Sequence, residues 1–290
     1  MGLRLKFNLV LLAVFMAGFG VAGYISHGLL DRHAREQVLG EARLVMEAAL
    51  AVRGYTVAQV RPHLSAQMDK QFLPQTVPAF AATETLNELR KKYPNYAYKE
   101  ATLNPTNPRD RAADWEADLV NTFRNTADSK EIAGERDTPT GRALYIAHPI
   151  RIESPACLAC HSTPEAAPAS MIKVYGTANG FGWKLNETVG AQVVSVPMSV
   201  PLENAAQAFR TFMTSLAAVF AAVFVVLNLM LSWLIIRPVS QMSDAADKIS
   251  TGDFDQPEFP EQGTDEVAVL ASSFNRMRRS LEKAMQMIDG

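Results

Sequence analysis

Two segments of the chain lack charged side chains, and they divide it into regions. Leu9 to Ile25 and Phe212 to Ile236 contain no Asp, Glu, Lys or Arg. At about 1.5 Å per residue, the first just reaches across a hydrocarbon core of about 30 Å, and the second spans it with some tilt. Both are predicted to be transmembrane helices. The alternatives are a cleaved signal peptide for the first segment and a buried core helix for the second.

The charges beside these segments predict an orientation. Arg4 and Lys6 precede the first segment, so the positive-inside rule predicts a cytoplasmic N-terminus. The region between the two helices is then outside the cytoplasm. The predicted divisions are a cytoplasmic N-terminus (1–8), a first membrane helix (9–26), an extracytoplasmic domain (27–211), a second membrane helix (212–236) and a cytoplasmic helical region (237–290).

The extracytoplasmic region shows helical periodicity at three places. His27 to Arg53 contains no proline and repeats apolar residues every three to four positions, which predicts that the first membrane helix continues outward and ends at Gly54. Thr83 to Lys92 predicts a second helix. Arg111 to Arg124 predicts a third, which aligns Trp115, Leu119 and Phe123 on a face that we expect to contact the core.

Three short β-prone runs complete this region. They are Tyr96 to Leu103, Ala143 to Ile150 and Gln192 to Val196, bounded by turn-forming residues. Together with the helices they predict an α+β domain, in which a small antiparallel sheet has helices on one side and a long helix at its N-terminus.

Beyond Ile236, two amphipathic segments follow Arg237 and Pro238. Apolar residues repeat at spacings of three and four in both segments, as in a coiled-coil seam. The first seam is Ile235, Val239, Met242, Ala246 and Ile249; the second is Val267, Leu270, Phe274, Met277, Leu281, Ala284 and Ile288. Two short helices cannot bury such seams alone, which predicts a parallel homodimer that forms a four-helix bundle.

Composition and charge exclude several classes of function. The formal net charge is −2 and we find no local basic patch, so nucleic-acid binding is not expected. Two cysteines cannot build a disulfide framework for 290 residues, and a zinc site would need ligands from elsewhere.

Both cysteines lie in one short motif, Cys157-Leu-Ala-Cys160-His161. This is the attachment signature of c-type haem. The two thiols add to the haem vinyl groups as thioethers, and the adjacent imidazole becomes the proximal iron ligand. The motif therefore predicts one covalent haem c held by Cys157, Cys160 and His161. A thioredoxin-like redox pair, a strained disulfide and a zinc site are the alternatives.

The sixth iron ligand is open at this point. A thiolate is excluded if both cysteines are thioethers, which leaves histidine, methionine or a vacant position that binds a small gas. The candidates outside the membrane are His27, His33, His63, His148, Met46, Met68, Met171 and Met198. Met46 is the first choice, because it lies on the long helix that continues from the membrane, and Met171 could fold over the iron from ten residues beyond His161.

Several segments resemble a known family. Arg53-Gly-Tyr-Thr, Phe72-Leu-Pro-Gln-Thr-Val-Pro, Leu103-Asn-Pro-Thr-Asn-Pro with Trp115-Glu116, the cysteine motif, and Tyr175-Gly-Thr-Ala-Asn-Gly-Phe-Gly-Trp183 resemble the Tll-type single-haem, PAS-like sensor domain over about residues 40 to 200. The region opened by Arg237-Pro238, with Thr264-Asp265-Glu266-Val267 before its second helix, resembles a HAMP linker. The resemblance implies haem attachment at Cys157 and Cys160, with His161 as proximal ligand.

The resemblance implies a bacterial inner-membrane sensor with a periplasmic haem domain and a cytoplasmic HAMP domain. The region after Pro238 contains no histidine and no phosphate-binding loop, so we expect no enzymatic activity and a signal handed to a separate cytoplasmic signalling protein. The stimulus would be redox state or a diatomic gas. The alternative is a membrane-tethered cytochrome for periplasmic electron transfer, in which the HAMP-like helices only dimerise the protein.

Overall fold

The computed structural model describes residues 2–68, 70–126, 128–260 and 263–288, with only the backbone of Ile288. The chain divides into two compact units. One contains the residues up to His27 and those from Phe209 onward, and the other runs from Gly28 to Ala208. Helix α1, Leu3–Tyr55, contributes to both units, as does helix α7, Ser199–Met230.

The first unit contains two helical segments that are long and apolar enough to cross a membrane. The Phe15 and Phe220 rings stack with centroids 4.6 Å apart, so α1 packs on α7 within this unit. Almost none of either apolar window is buried by protein, which disfavours a core helix. After α7, residues Leu231–Ile236 form a π-helical segment, and Arg4 donates a hydrogen bond to Ser232 in it.

The second unit is built on a four-stranded antiparallel sheet. Its strands are β1 (Ala97–Thr102), β2 (Ile132–Thr138), β3 (Gly141–Arg151) and β4 (Thr188–Pro197), in the order β1-β4-β3-β2. The three predicted strands are present. Strand β2 was not predicted, because its sequence holds one β-branched apolar residue and four charged or hydroxyl side chains.

Helices cover both faces of this sheet, so the prediction of helices on one side is wrong. On one face, Val38, Ala42 and Met46 of α1 pack against residues of β3 and β4. On the other face, helix α4 (Asp114–Asn125) packs through Leu119, Val120 and Phe123. Side chains alternate along each strand, so a sheet in the middle of a domain needs apolar residues on both faces. The predicted contact of α4 with the core is confirmed.

Further helices surround the site described below. Helix α1 does not end at Gly54; it continues through a π-helical turn, Thr56–Val60, into α2, Arg61–Met68. A glycine within a helix costs only about 1 kcal/mol, and the packing of α1 outweighs this cost. The remaining helices are α3 (Pro78–Lys92), α5 (Pro155–His161) and α6 (Ala169–Tyr175), and short 3₁₀ turns lie at Pro74–Thr76 and Pro108–Asp110.

The C-terminal region contains α8 (Arg237–Ser250) and α9 (Glu266–Ile288). Asp265 caps α9 by accepting a hydrogen bond from the backbone of Ala268. Within the chain, Met242, Ala245 and Ile249 are buried on α8, and Ala268 and Ala271 on α9. Most of the predicted seam stays uncovered: Val239, Leu270, Met277 and Leu281 are each more than two-fifths exposed. The side chain of Ile288, the last seam position, lies outside the described residues.

Candidate functional site

Helix α5 brings the two cysteines and the histidine of the motif together. Pro155 occupies its first turn, and the Ser154 side chain caps it by accepting a hydrogen bond from the backbone of Ala156. In this helix Cys157 and Cys160 lie three residues apart, so both thiols project from one face. Both thiols are free and half-buried. His161 is the last residue of the helix.

One hydrogen bond defines the tautomer of His161. Its Nδ1 lies 2.8 Å from the carbonyl oxygen of Gly180, and a carbonyl can only accept, so Nδ1 carries the proton. The lone pair is then on Nε2. Burial lowers the pKa of His161, although the Gly180 hydrogen bond opposes the shift, so the imidazole is neutral near pH 7. A neutral imidazole held at Nδ1 by a carbonyl is the usual state of a histidine metal ligand.

The loop that carries Gly180 also holds the ring of His161 from the side. The Trp183 ring stacks on the imidazole with centroids 3.9 Å apart and planes inclined by 14°. The Trp183 backbone donates a hydrogen bond to the carbonyl of His161, 3.2 Å away. The side chain of Asn104 accepts from the backbone of Gly180 and donates to the carbonyl of Phe181, which fixes the loop. His161 therefore has a restricted orientation before any ligand binds.

The motif opens onto a cavity of about 600 Å³. This volume lies within the range of about 300–1,000 Å³ that is typical of small-molecule and cofactor sites. The C-terminal part of α1, the π-helical turn, α5 and α6 contribute to its wall. The apolar and aromatic residues that line it include Val57, Phe72, Val77, Ile150, Ile152, Met171, Tyr175 and Trp183.

Basic side chains also line the cavity. Arg53 pairs with the buried carboxylate of Glu100 at 2.5 Å, and the Tyr98 hydroxyl donates to the same oxygen at 2.6 Å. Burial opposes the charge on Arg53, but Glu100 and Tyr98 outweigh it and raise the pKa of Arg53. Burial raises the pKa of the Cys160 thiol, and the positive charge of Arg61 opposes this shift. Arg53 and Arg61 therefore bring positive charge to the cavity wall beside the cysteines, and burial still outweighs it at Cys160.

The residues of this cavity fit a covalently attached haem. A c-type haem needs two thiols and an imidazole ligand, and this cavity offers two accessible thiols on one helix face and a neutral imidazole with Nε2 available. Its apolar walls suit a planar ring, and its arginines suit the acidic substituents of the haem. Among the residues that the structure describes, no group of three or more His, Cys, Asp or Glu could hold a metal ion, so these residues do not offer a zinc site.

The structure separates the candidates for the sixth iron ligand. Met68 and Met171 line the cavity. The Met68 sulfur already accepts hydrogen bonds from the Leu73 backbone and the Thr76 hydroxyl, whereas Met171 is buried at the cavity wall. The remaining candidates do not line the cavity: they are Met46, Met198, His27, His33, His63 and His148.

Met46, the first choice from the sequence, is not brought to the motif. It is fully buried between α1 and the sheet, in one cluster with Val38, Ala42 and Met198. Helical periodicity correctly predicts that Met46 faces inward. It does not predict that α1 packs on the sheet at Met46 and reaches the cavity only about two turns later, at Arg53 and Gly54. A thioether in a well-packed core acts as an apolar filler.

The sequence did not indicate the contacts of Gly180 and Thr106 with His161, or of Glu100 with Arg53. Gly180 has a backbone φ of +86°, and a Cβ there would lie 2.8 Å from the Cα of Thr106. The Asn-Gly-Phe-Gly run was the available signal, because closely spaced glycines accompany tight backbone approach. The contact of Gly180 with His161 depends on tertiary structure and could not be predicted from the sequence.

Comparison with known proteins shows the family of the chain. Residues 31–197, more than half of the chain, match the Tll0287-like family, and residues 230–283 match the HAMP domain. The chain belongs to the Tll0287-like family. The resemblances deduced from the sequence, to a Tll-type domain followed by a HAMP linker, are both confirmed.

Curated relatives of this Tll0287-like chain include two bacterial signalling proteins. It is 29% identical over 123 residues to the sensor histidine kinase WalK of Bacillus subtilis (strain 168). The match covers 42% of the chain and 20% of WalK. It is 34% identical over 79 residues to the heme sensor protein HssS of Staphylococcus aureus (strain JH9). This match covers 27% of the chain and 17% of HssS. The chain thus spans about a fifth of the length of these relatives.

A solved structure is also similar to this Tll0287-like chain. The crystal structure of the cyanobacterial heme-protein Tll0287 shares 17% sequence identity with a TM-score of 0.43, and the match covers 55% of this chain and 94% of that one.

Proposed function

We propose that this protein is a membrane-bound haem sensor of a bacterial inner membrane, and that it carries one covalent haem c. Cys157 and Cys160 would form the thioethers and His161 would be the proximal iron ligand. The observation that supports this most strongly is the hydrogen bond from His161 Nδ1 to the Gly180 carbonyl, beside two free thiols at an apolar cavity. When bound, the haem would supply an iron that changes redox state or binds diatomic gases.

The side chains around the motif have separate parts in holding this group. Gly180 keeps the proton of His161 on Nδ1, so that Nε2 is the ligand nitrogen. Trp183 restricts the rotation of the imidazole by stacking on it. Arg53 and Arg61 would attract the two haem carboxylates, since both arginines line the cavity.

For the sixth ligand we propose Met171 in place of Met46. Met171 is buried at the cavity wall, and its sulfur accepts no hydrogen bond from the part of the chain that the structure describes, in contrast to Met68. Methionine and histidine together are a common ligand pair of c-type haem and favour the reduced iron.

The proposed topology follows from the apolar helices and the charges beside them. The Tll0287-like domain, about 27–211, would lie in the periplasm between membrane helices 9–26 and 212–236, with the short segment 1–8 and the HAMP domain 237–290 in the cytoplasm. Arg4, Lys6 and Arg237 support this orientation, because they lie at the ends that would face the cytoplasm.

The proposed signalling route is a homodimer that acts on a separate partner. HAMP helices dimerise through an apolar seam, and the seam of α9 is exposed in the single chain. A change at the haem would bias the packing of this bundle, and a cytoplasmic signalling protein would respond. In this proposal the chain itself is not an enzyme.

Haem staining of denaturing gels tests the covalent attachment. The full chain, produced with a working cytochrome c maturation system, should stain for haem peroxidase activity at its own mass. The double variant Cys157→Ser/Cys160→Ser should not stain. An unstained wild-type chain, or stain that persists in the double variant, would show that the proposal is wrong.

Absorption spectra of single methionine variants test the sixth ligand. Met171→Leu should convert the low-spin spectrum to a high-spin one. Met46→Leu and Met198→Leu are the matched controls, because both sulfurs are buried in the core away from the cavity, and their spectra should stay low-spin. A high-spin spectrum in either control, or an unchanged spectrum in Met171→Leu, would contradict the assignment.

Two further measurements address topology and signalling. A reporter fused after Gly290 should be active in the cytoplasm; activity in the periplasm would show that the orientation is the reverse of the one proposed.

Rapid reduction of the haem by a respiratory donor, with no change in the HAMP helices between haem states, would favour an electron-transfer cytochrome over a sensor.

A further inference from the structure

A second cavity lies on the opposite face of the sheet from α1. Its volume is about 570 Å³, and residues of α3, β1, the start of α4, the β2–β3 hairpin and the end of β4 line it. Helix α4 covers one half of this sheet face with the apolar cluster described above. The other half carries the short side chains of Ala97, Ala143, Ser195 and Pro197, which leave open space above the sheet.

Positive charge exceeds negative charge in the lining of this cavity. Five basic residues line it, namely Arg90, Lys99, Arg109, Arg136 and Arg142, against the two acidic residues Asp110 and Glu116. Three of the five are ion-paired: Lys99 with Glu116, Arg109 with Asp110 and Glu84, and Arg142 with Glu135. Arg90 and Arg136 have no ion pair with any residue that the structure describes.

Arg136 is held in place without a counter-ion. Its guanidinium carbon lies 4.0 Å from the centroid of the Trp115 ring, and the Tyr145 ring packs against the same tryptophan. Stacking on an aromatic ring orients a guanidinium and leaves its N–H donors available. A fork of this kind matches the two oxygens of a carboxylate.

A buried hydroxyl in the same wall lacks a partner. Thr83 is 7% exposed, and its Oγ1 makes no hydrogen bond within the described parts of the chain. Other helical threonines bond to the carbonyl four residues earlier, as Thr85 does to Ala81 and Thr122 to Asp118, both at 2.8 Å. A buried hydroxyl without a partner costs about 1–3 kcal/mol. Thr83 therefore has an unused donor and acceptor beside the cavity, and in this rotamer its oxygen has no surface open to it.

We propose that this second cavity binds a small organic carboxylate. Arg136 would hold the carboxylate group, and Arg90 would add positive charge at the wall. The Thr83 side chain would rotate to its other helical rotamer and donate a hydrogen bond to the bound molecule. The short side chains of the sheet would contact the organic body. The molecule would thus be an additional ligand of the domain, in a cavity that shares Arg109 and Asp110 with the wall of the cavity at Cys157.

Calorimetric titration of the full haem-loaded chain in detergent tests this site. The probes are acetate, benzoate, succinate and citrate, each compared with inorganic phosphate, and benzoate and succinate also with their neutral amides. At least one carboxylate should bind with a dissociation constant below about 1 mM, and its amide should bind about tenfold more weakly or not at all. Absence of binding by all four carboxylates, equal binding of an amide, or equal binding of phosphate would overturn the proposal.

Variants assign the binding to the cavity. Arg136→Gln should weaken carboxylate binding about tenfold or more, and Thr83→Val should weaken it several-fold. Arg32→Gln and Thr85→Val are matched controls, because Arg32 is exposed on α1 and the hydroxyl of Thr85 is already bonded within its own helix. Thr83→Val should unfold at or above the wild-type temperature, which shows that its loss of binding is not loss of fold. Binding equal to wild type in both cavity variants would exclude the site.

Discussion

The carbonyl of Gly180 determines which imidazole nitrogen of His161 can bind a metal. Partners of this kind fix the tautomer and ring orientation of a ligand histidine, and losing one usually lowers metal affinity 10- to 100-fold. Here the partner is a backbone atom, so only a change in the path of the loop can move it. The positive φ of Gly180 and its close approach to Thr106 set that path.

Replacement of Gly180 tests this dependence. Gly180→Ala would place a Cβ against Thr106 in addition to the strain of a positive φ, so we expect a loss of about 3–5 kcal/mol in the free energy of unfolding. Gly182→Ala is the control, because Gly182 has a φ of +81° with no atom within 4 Å of a new Cβ, and should cost about 1–2 kcal/mol. Chemical denaturation measures both; equal losses would contradict the importance of the Thr106 contact.

Asp110 gives the domain a defined pH dependence. Burial raises the pKa of Asp110 to about 6, against the opposing charge of Arg109 and with a contribution from Glu100. The folded state therefore binds this proton more tightly than the unfolded chain, in which the pKa is near 3.8. Its stabilising contribution is complete below about pH 4 and is lost as the pH rises to about 6, by up to about 3 kcal/mol.

Urea denaturation between pH 3 and 7 of wild type and Asp110→Asn measures this contribution. The stability of the variant relative to wild type should increase as the pH rises from about 4 to about 6. Asp118→Asn, an exposed aspartate on α4, is the control and should not change with pH in the same way. A constant difference between wild type and Asp110→Asn would contradict the raised pKa.

At the scale of elements, sequence periodicity predicted the long regular parts of the fold. The outward continuation of α1 and the inward face of α4 were predictable, because each repeats apolar residues over several helical turns. Helices α5 and α6, seven residues each, are too short to show a period. Strand β2 pairs with β3 across a turn at Pro139 and Thr140, and its own sequence carries a weak β signal.

The candidate site divides in the same way. The proximity of Cys157, Cys160 and His161 was predictable because all three lie within five consecutive residues. The Gly180 carbonyl and the position of Met46 outside the cavity were not, because each depends on segments far apart in sequence.

Asn275 connects the segment between α8 and α9 to the second of these helices. Its side chain is buried, accepts a hydrogen bond from the Phe259 backbone at 3.1 Å and donates one to the same residue's carbonyl at 2.9 Å. Asn275→Ala would leave both backbone groups of Phe259 without these hydrogen bonds. Each lost bond should lower the free energy of unfolding by about 1–3 kcal/mol. Limited proteolysis in membranes should then cleave between Ser250 and Glu266 faster than in wild type. The exposed neighbour Arg276→Ala should show the wild-type rate, and equal rates in both variants would contradict the role of Asn275.

For the whole molecule, the exposed seam of α9 predicts contact between two chains. At about 100° per residue, Lys283 lies about 160° around the helix from Leu281. Cysteines introduced at Met277 or Leu281 should form crosslinked dimers in membranes, and a cysteine at Lys283 should not. The yields of crosslinked dimer along the seam should differ between the protein with oxidised haem and the protein with reduced haem. Seam positions that crosslink no better than Lys283 would exclude a parallel dimer through this face.

The π-helical segment at Leu231–Ile236 joins the second membrane helix to α8. A π turn holds one residue more than an α turn, so each such insertion shifts the angular phase of everything beyond it by about 100°. Conversion of this segment into a regular α turn would therefore rotate the Met242 and Ile249 face of α8 by about 100° about the helix axis.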